Sequence, residues 1–156
     1  MKAKILTGLI LVGLIFVFFP PSTARAQIQE ISLRISPLSI NFQAADPDME
    51  PLIRADNPVL VEIAVGPSRR WQLTLRAEGD LASSQGPAIS IQTISWTSTA
   101  SPPFINGSLI SRNAQLAASG QGPVQTKGEL NFFFQNSWDY RIGDYSQTVS
   151  FILSVL

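Results

Sequence analysis

The sequence predicts an all-β protein: an immunoglobulin-like Greek-key β-sandwich of about seven to nine strands, preceded by a signal peptide. Three observations predict it. From Gln27 onward apolar residues recur at every second position, which places them on one face of a pleated strand, and no long helical period competes. Turn residues separate these runs at spacings near those of sandwich proteins. A hydrophobic share of 45% against 14% charged supplies the interior that two facing sheets need.

The chain opens with Met1-Lys2-Ala3-Lys4, the apolar run Ile5 to Phe19, Pro20-Pro21 and then Thr23-Ala24-Arg25-Ala26. A short basic region, an apolar segment and small residues at the last and third-last positions before a cut are what export requires, so cleavage is expected after Ala26. A retained anchor is the alternative, but the run is shorter than the ~20 apolar residues that span a bilayer. No stable membrane anchor is therefore expected after cleavage. The chain has no Cys, which removes the attachment point of a lipoprotein.

The domain starting at Gln27 and ending at Leu156 has about 130 residues, a common size for a single core. The leader's three charges, Lys2, Lys4 and Arg25, are all basic, and removing them from a balanced chain leaves the mature protein acidic by three. That argues against nucleic acid and anionic membranes, which call for a basic footprint. Without Cys or His, the ordinary structural zinc sites and every His-based general base are missing, so no cofactor and no enzymatic activity are expected.

The elements follow in order. Ile31, Leu33 and Ile35 alternate with Ser32 and Arg34; after Pro37, Leu38, Ile40 and Phe42 alternate again, giving two strands or one kinked strand. Residues 44–58 read as an acidic loop. Val59, Val61, Ile63 and Val65, a turn at Gly66-Pro67-Ser68, and Trp71, Leu73, Leu75 and Ala77 give the clearest meander signal. Residues 79–87 form a polar loop. Ile89 and Ile91 are then followed by a phase shift to Ile94 and Trp96, which suggests a bulge or twist. Asn106-Gly107 between apolar residues predicts a tight hairpin turn.

Residues 112–126 are small and Gly-rich, mostly loop, with a short strand at 115–117. Leu130, Phe132 and Phe134 resume the alternation, with Glu129, Asn131 and Gln135 toward water. Val149, Phe151, Leu153 and Val155 form what reads as the longest strand. The expected core is Trp71, Trp96, Leu73, Leu75, Phe132, Phe134, Phe151 and Leu153. Gly143-x-Tyr145 can return the Tyr hydroxyl to the preceding loop backbone, fixing the last strand as a tyrosine corner does.

The segments Arg70-Trp71-Gln72-Leu73-Thr74-Leu75-Arg76-Ala77, Gly79-Asp80-Leu81, Ile94-Ser95-Trp96, Trp138-Asp139-Tyr140 and Gly143-Asp144-Tyr145-Ser146-Gln147-Thr148-Val149 carry a resemblance across most of residues 59–156. The chain resembles the secreted immunoglobulin-like domains of bacterial surface and fimbria-type proteins. That resemblance implies a structural or adhesive surface role, possible in several ways on such a fold.

Candidate chemistry is sparse. Asp46-Pro47-Asp48-Met49-Glu50, with Asp56, has alternating carboxylates, but Pro51 stands where an EF-hand loop needs Gly, so a solvated loop is the expectation and no metal site is assigned. The acid pairs Glu78 with Asp80 and Asp139 with Asp144 lie at strand ends and turns, where acids are ordinarily solvated, and no catalytic residue is assigned. Trp138 and Tyr140, flanked by Asn136, Ser137, Asp139 and Arg141, fit either a sugar-stacking platform or a loop anchor. The strand of Ile31, Leu33 and Ile35 either pairs within its own domain or adds to a neighbour's sheet edge. The expected function is an exported, non-enzymatic structural or adhesive surface protein, a pilin-like subunit, with a carbohydrate-binding module as the alternative. Its partners would be a protein or its own copies at the cell surface, or a glycan; its place the periplasm or cell surface.

Overall fold

The computed structural model describes residues 31–156 apart from Ser68 and Gln85, so the expected leader, the expected start at Gln27 and part of the Gly66-Pro67-Ser68 turn lie outside the described residues. The described chain is all-β, with two antiparallel sheets packed face to face. Its strands are β1 (Ser32–Ser36), β2 (Leu52–Arg54), β3 (Val59–Val65), β4 (Arg70–Ala77), β5 (Ile94–Ser98), β6 (Gly107–Ser108), β7 (Ala114–Gln121), β8 (Val124–Gln135) and β9 (Val149–Val155). The larger sheet runs β1-β3-β8-β5-β6, with β2 pairing the second half of β8; the smaller runs β7-β4-β9.

Alternation translates directly into burial in β3 and β4. Val59, Val61, Ile63 and Val65 face inward from one sheet, and Trp71, Leu73, Leu75 and Ala77 from the other, all buried. The two strands are nevertheless not a hairpin: β3 pairs β1 and β8, whereas β4 pairs β7 and β9. Alternation reports which side of a strand is dry, and a strand facing its predecessor across the core has the same pattern as one bonded to it. The chain crosses between sheets at Gly66-Pro67 and again at Gly122-Pro123. The crossings meet: Gly122 N–H donates to Arg69 O at 2.7 Å, and a Cβ on Gly122 would fall 2.3 Å from Gly66 O.

Several local expectations are corrected. The segment after Pro37 forms no second strand; Phe42 makes a single bridge to Ala55. The acidic loop contains β2. At Ile91–Thr93 the phase shift is a 3-10 turn, whose three-residue period keeps both Ile91 and Ile94 inward, and Ser90 caps it. Asn106-Gly107 makes no tight turn: the reversal lies at residues 101–103 and Gly107 pairs Trp96 within β6. Gly serves there for close approach, since a Cβ would sit 2.5 Å from Trp96 Cζ2.

The Gly-rich stretch is an eight-residue strand, β7, not a loop. A register shift opposite Leu73 and Thr74 turns both Ala117 and Ala118 inward, which erases the two-residue period in the sequence. Gly120, opposite Trp71 in the ladder, is small because the indole lies over it: a Cβ there would meet Trp71 Cζ2 at 2.8 Å. Asn131 is buried, not solvated, and accepts a hydrogen bond from the Arg54 guanidinium on β2. β8, with 12 residues, is longer than β9.

The core holds Trp71, Trp96, Leu73, Leu75 and Phe132 as expected, joined by Phe104 and Leu130. Phe134, Phe151 and Leu153 are only half-buried at its margin. For β9 the reason is position: it is an outermost strand of the smaller sheet, and on one flank no described strand pairs with it to cover its inward side chains. Tyr145 behaves as the Gly-x-Tyr spacing predicts, its hydroxyl donating to Arg141 O at 3.0 Å four residues upstream.

Candidate functional site

Trp138 and Tyr140 sit in the loop after β8, which is stitched to the acidic loop before β2. Asn136 holds the two together, its N–H donating to Pro51 O at 2.9 Å and its Nδ2 to Ala45 O and Glu50 O at 3.0 and 3.2 Å. Asp46 folds the acidic loop on itself, accepting Asp48 N–H at 2.9 Å on Oδ1 while its carbonyl accepts the N–H groups of Met49 and Glu50. Asp48 Oδ1 then accepts Trp138 Nε1–H at 3.1 Å. Trp138 remains 67% exposed. Tyr140 is half-buried, packing on Phe134 with ring centroids 5.8 Å apart, and Phe134 packs on Phe42 at 6.0 Å.

The two aromatics therefore do different things. Trp138 offers ring surface to solvent, and Tyr140 anchors its loop to the end of the larger sheet. One acid of each pair is tied into the local structure: Asp80 Oδ1 accepts Ile91 N–H at 3.0 Å, and Asp139 exchanges hydrogen bonds with Ser137. Among the described residues no three His, Cys, Asp or Glu side chains converge as a metal set. No helix among them is long and apolar enough to cross a membrane.

The first strand is an outer strand of the larger sheet, paired with β3 of its own chain from Ser32 opposite Ala64 to Ser36 opposite Leu60. Leu33 and Ile35 pack half-buried against the core, whereas Ile31, ahead of the strand, is exposed. Beyond β1 the segment 37–42 is held by Asp56, which accepts Asn41 N–H at 3.0 Å and Asn41 Nδ2 at 3.2 Å. These bonds, the backbone one foremost, hold the Asp56 carboxyl below its ordinary pKa.

The flanks of the sandwich differ. Where β5 and β6 lie near β7, residues 103–105 bond across to β7: Ile105 N–H donates to Ala117 O at 2.8 Å, and Phe104 bridges Ala118. That flank is closed. On the opposite flank β1 and β9 are the outermost strands, and among the described residues no backbone hydrogen bond joins them. A cleft of about 480 Å³ opens there, walled by Ile35, Ile40 and Phe42 on one side and Val149 and Phe151 on the other, with Phe132 among its lining residues. Alternation marked most of these residues as inward-facing; that they line an opening depends on which strands end each sheet.

No match to this chain is found among known protein families, curated proteins or solved structures.

Proposed function

We propose that the chain is an exported, non-enzymatic structural or adhesive protein of the periplasm or cell surface, a pilin-like subunit that associates with further copies or another envelope protein. The observation that carries this reading is the open flank between β1 and β9, where apolar side chains that would be buried in a closed sandwich are left half-exposed. An immunoglobulin-like Greek key fits the strand order. β1-β3-β8-β5 corresponds to the A-B-E-D sheet of that layout and β4-β9 to C-F. The side of β9 on which the layout carries its seventh strand, G, pairs with no described strand. A partner's strand added there completes the sheet, and backbone hydrogen bonds supply affinity without a catalytic or cofactor site. Export rests on the leader pattern of residues 1–26. The test is N-terminal sequencing of secreted material, where Gln27 is the expected first residue, combined with sedimentation. A start at Met1 in a membrane fraction would overturn export, and a folded protein that stays monomeric at high concentration would overturn association with further copies.

A second reading, carbohydrate binding, is favoured by the exposed Trp138. Its Nε1 is already engaged by Asp48, so stacking on the ring, not hydrogen bonding, would carry the interaction. Trp138→Ala with Tyr140 retained should abolish retention on an insoluble polysaccharide; no retention of the unaltered protein across a broad glycan panel would remove it.

A further inference from the structure

Resting on the reading of a self-associating surface subunit, we infer that β9 pairs antiparallel with β9 of a second copy, about a two-fold axis through Ile152. The flank strands are unequally protected. β1 is short and carries the exposed Arg34; β6 has two residues; β7 is bulged and partly covered by residues 103–105. β9 has seven residues, Val149-Ser150-Phe151-Ile152-Leu153-Ser154-Val155, with no charge, Pro or Gly. An edge without these guards is a template for another strand.

What selects a second copy is the order of those residues. A two-fold interface must be complementary to itself. Read backward, β9 is the same sequence save for exchange of Phe151 and Leu153. With Ile152 opposite Ile152 of the second copy, Ser150 meets Ser154, Val149 meets Val155 and Phe151 meets Leu153. The neighbouring strand extends the match. β4 pairs Leu75 with Phe151 and Leu73 with Leu153, so each inward row runs Leu75, Phe151, then Leu153 and Leu73 of the second copy.

Glu78 N–H donates to Thr148 O, and Leu156 N–H donates to Arg70 O, at the two ends of the ladder. The same register sets Thr148 opposite Leu156. Those two bonds also show that even-numbered backbone groups point to β4, so ladder alternation turns the N–H and C=O of Val149, Phe151, Leu153 and Val155 outward. Pairing satisfies them with about eight hydrogen bonds.

The test uses the absence of native Cys. Ile152→Cys in the mature chain should form a disulfide dimer under mild oxidation, because directly opposed positions fall within disulfide reach. Ser150→Cys, opposite Ser154 and not itself, should not. Ile152 is 40% exposed, so Ile152→Lys and Ile152→Glu should each keep native circular dichroism while weakening association tenfold or more, and mixing them should restore the dimer. No cross-link at 152, equal cross-linking at 150, or no rescue on mixing would overturn the two-fold pairing. Association that survives Ile152→Lys but is lost on deleting Gln27–Ser36 would overturn it while leaving the self-associating subunit in place. A folded, strictly monomeric protein would remove both.

Discussion

The backbone of Gly128 lies against the ring of Phe104: a methyl group at that position would fall 2.5 Å from both Cδ2 and Cε2. The same relation recurs between Gly107 and Trp96 and between Gly120 and Trp71. Each of these three buried rings rests on a strand glycine, so the interior is filled by aromatic surface laid against bare backbone. Gly128→Ala should therefore destabilise the fold by about 2 kcal/mol through overpacking, read as a lower urea midpoint with unchanged slope. An unchanged midpoint would mean the ring moves aside freely.

Position within the sheets ranks the phenylalanines. Phe132, buried in the long central strand, should lose roughly 3 to 5 kcal/mol on Phe132→Ala. Phe151, half-buried on β9, should lose only about 1 to 3 kcal/mol on the same change, because part of its surface is already in water. Denaturation at low protein concentration separates the two; equal losses would contradict an open flank.

Tyr145→Phe removes the hydrogen bond to Arg141 O and little packing. The expected cost is about 0.5 to 1.5 kcal/mol, with native circular dichroism. A neutral result would show that the hydroxyl does not fix the approach to β9.

Asp56 makes stability depend on pH. Its carboxyl is held below the ordinary value by Asn41, so the folded state favours the charged form. That contribution is present above about pH 4 and is lost as pH falls through the depressed value. Asp56→Asn should flatten the acid limb of a stability profile below pH 4, without shifting the midpoint's dependence on pH between 6 and 8. An unchanged acid limb would rule the contact out as a source of pH dependence.

Deleting Gln27–Ser36 removes β1 and with it Leu33 and Ile35 from the core margin. The truncated chain should be less stable by ~3 kcal/mol or more and inclined to aggregate, since β3 then becomes a bare edge. A truncated chain that stays folded and turns monomeric would instead show that the strand serves a neighbour.

Most strands were legible because one-sided burial writes a two-residue period into the chain, as in Val59 to Val65 and Trp71 to Ala77. The period fails where another constraint sets the residue type. β7 was hidden because its bulge turns Ala117 and Ala118 inward together, and because Trp71 leaves room only for small residues opposite it. The 3-10 turn at Ile91–Thr93 looked like a phase error for a similar reason. Of the candidate site, the exposure of Trp138 was legible from its polar neighbours, but the anchoring of Tyr140 on Phe134 was not, since those residues are adjacent only once the loop folds back.

By itself the sequence determined the all-β class and which faces of most strands are dry, because local period and local composition carry both. Only the tertiary structure decided that β3 and β4 lie in different sheets, that β1 and β9 end them on the same flank, and that an apolar cleft opens between the two. Hydrogen-bond partnership between strands is a long-range choice: every one-faced strand offers the same backbone groups on both edges, and nothing in its own residues says which edge is left bare.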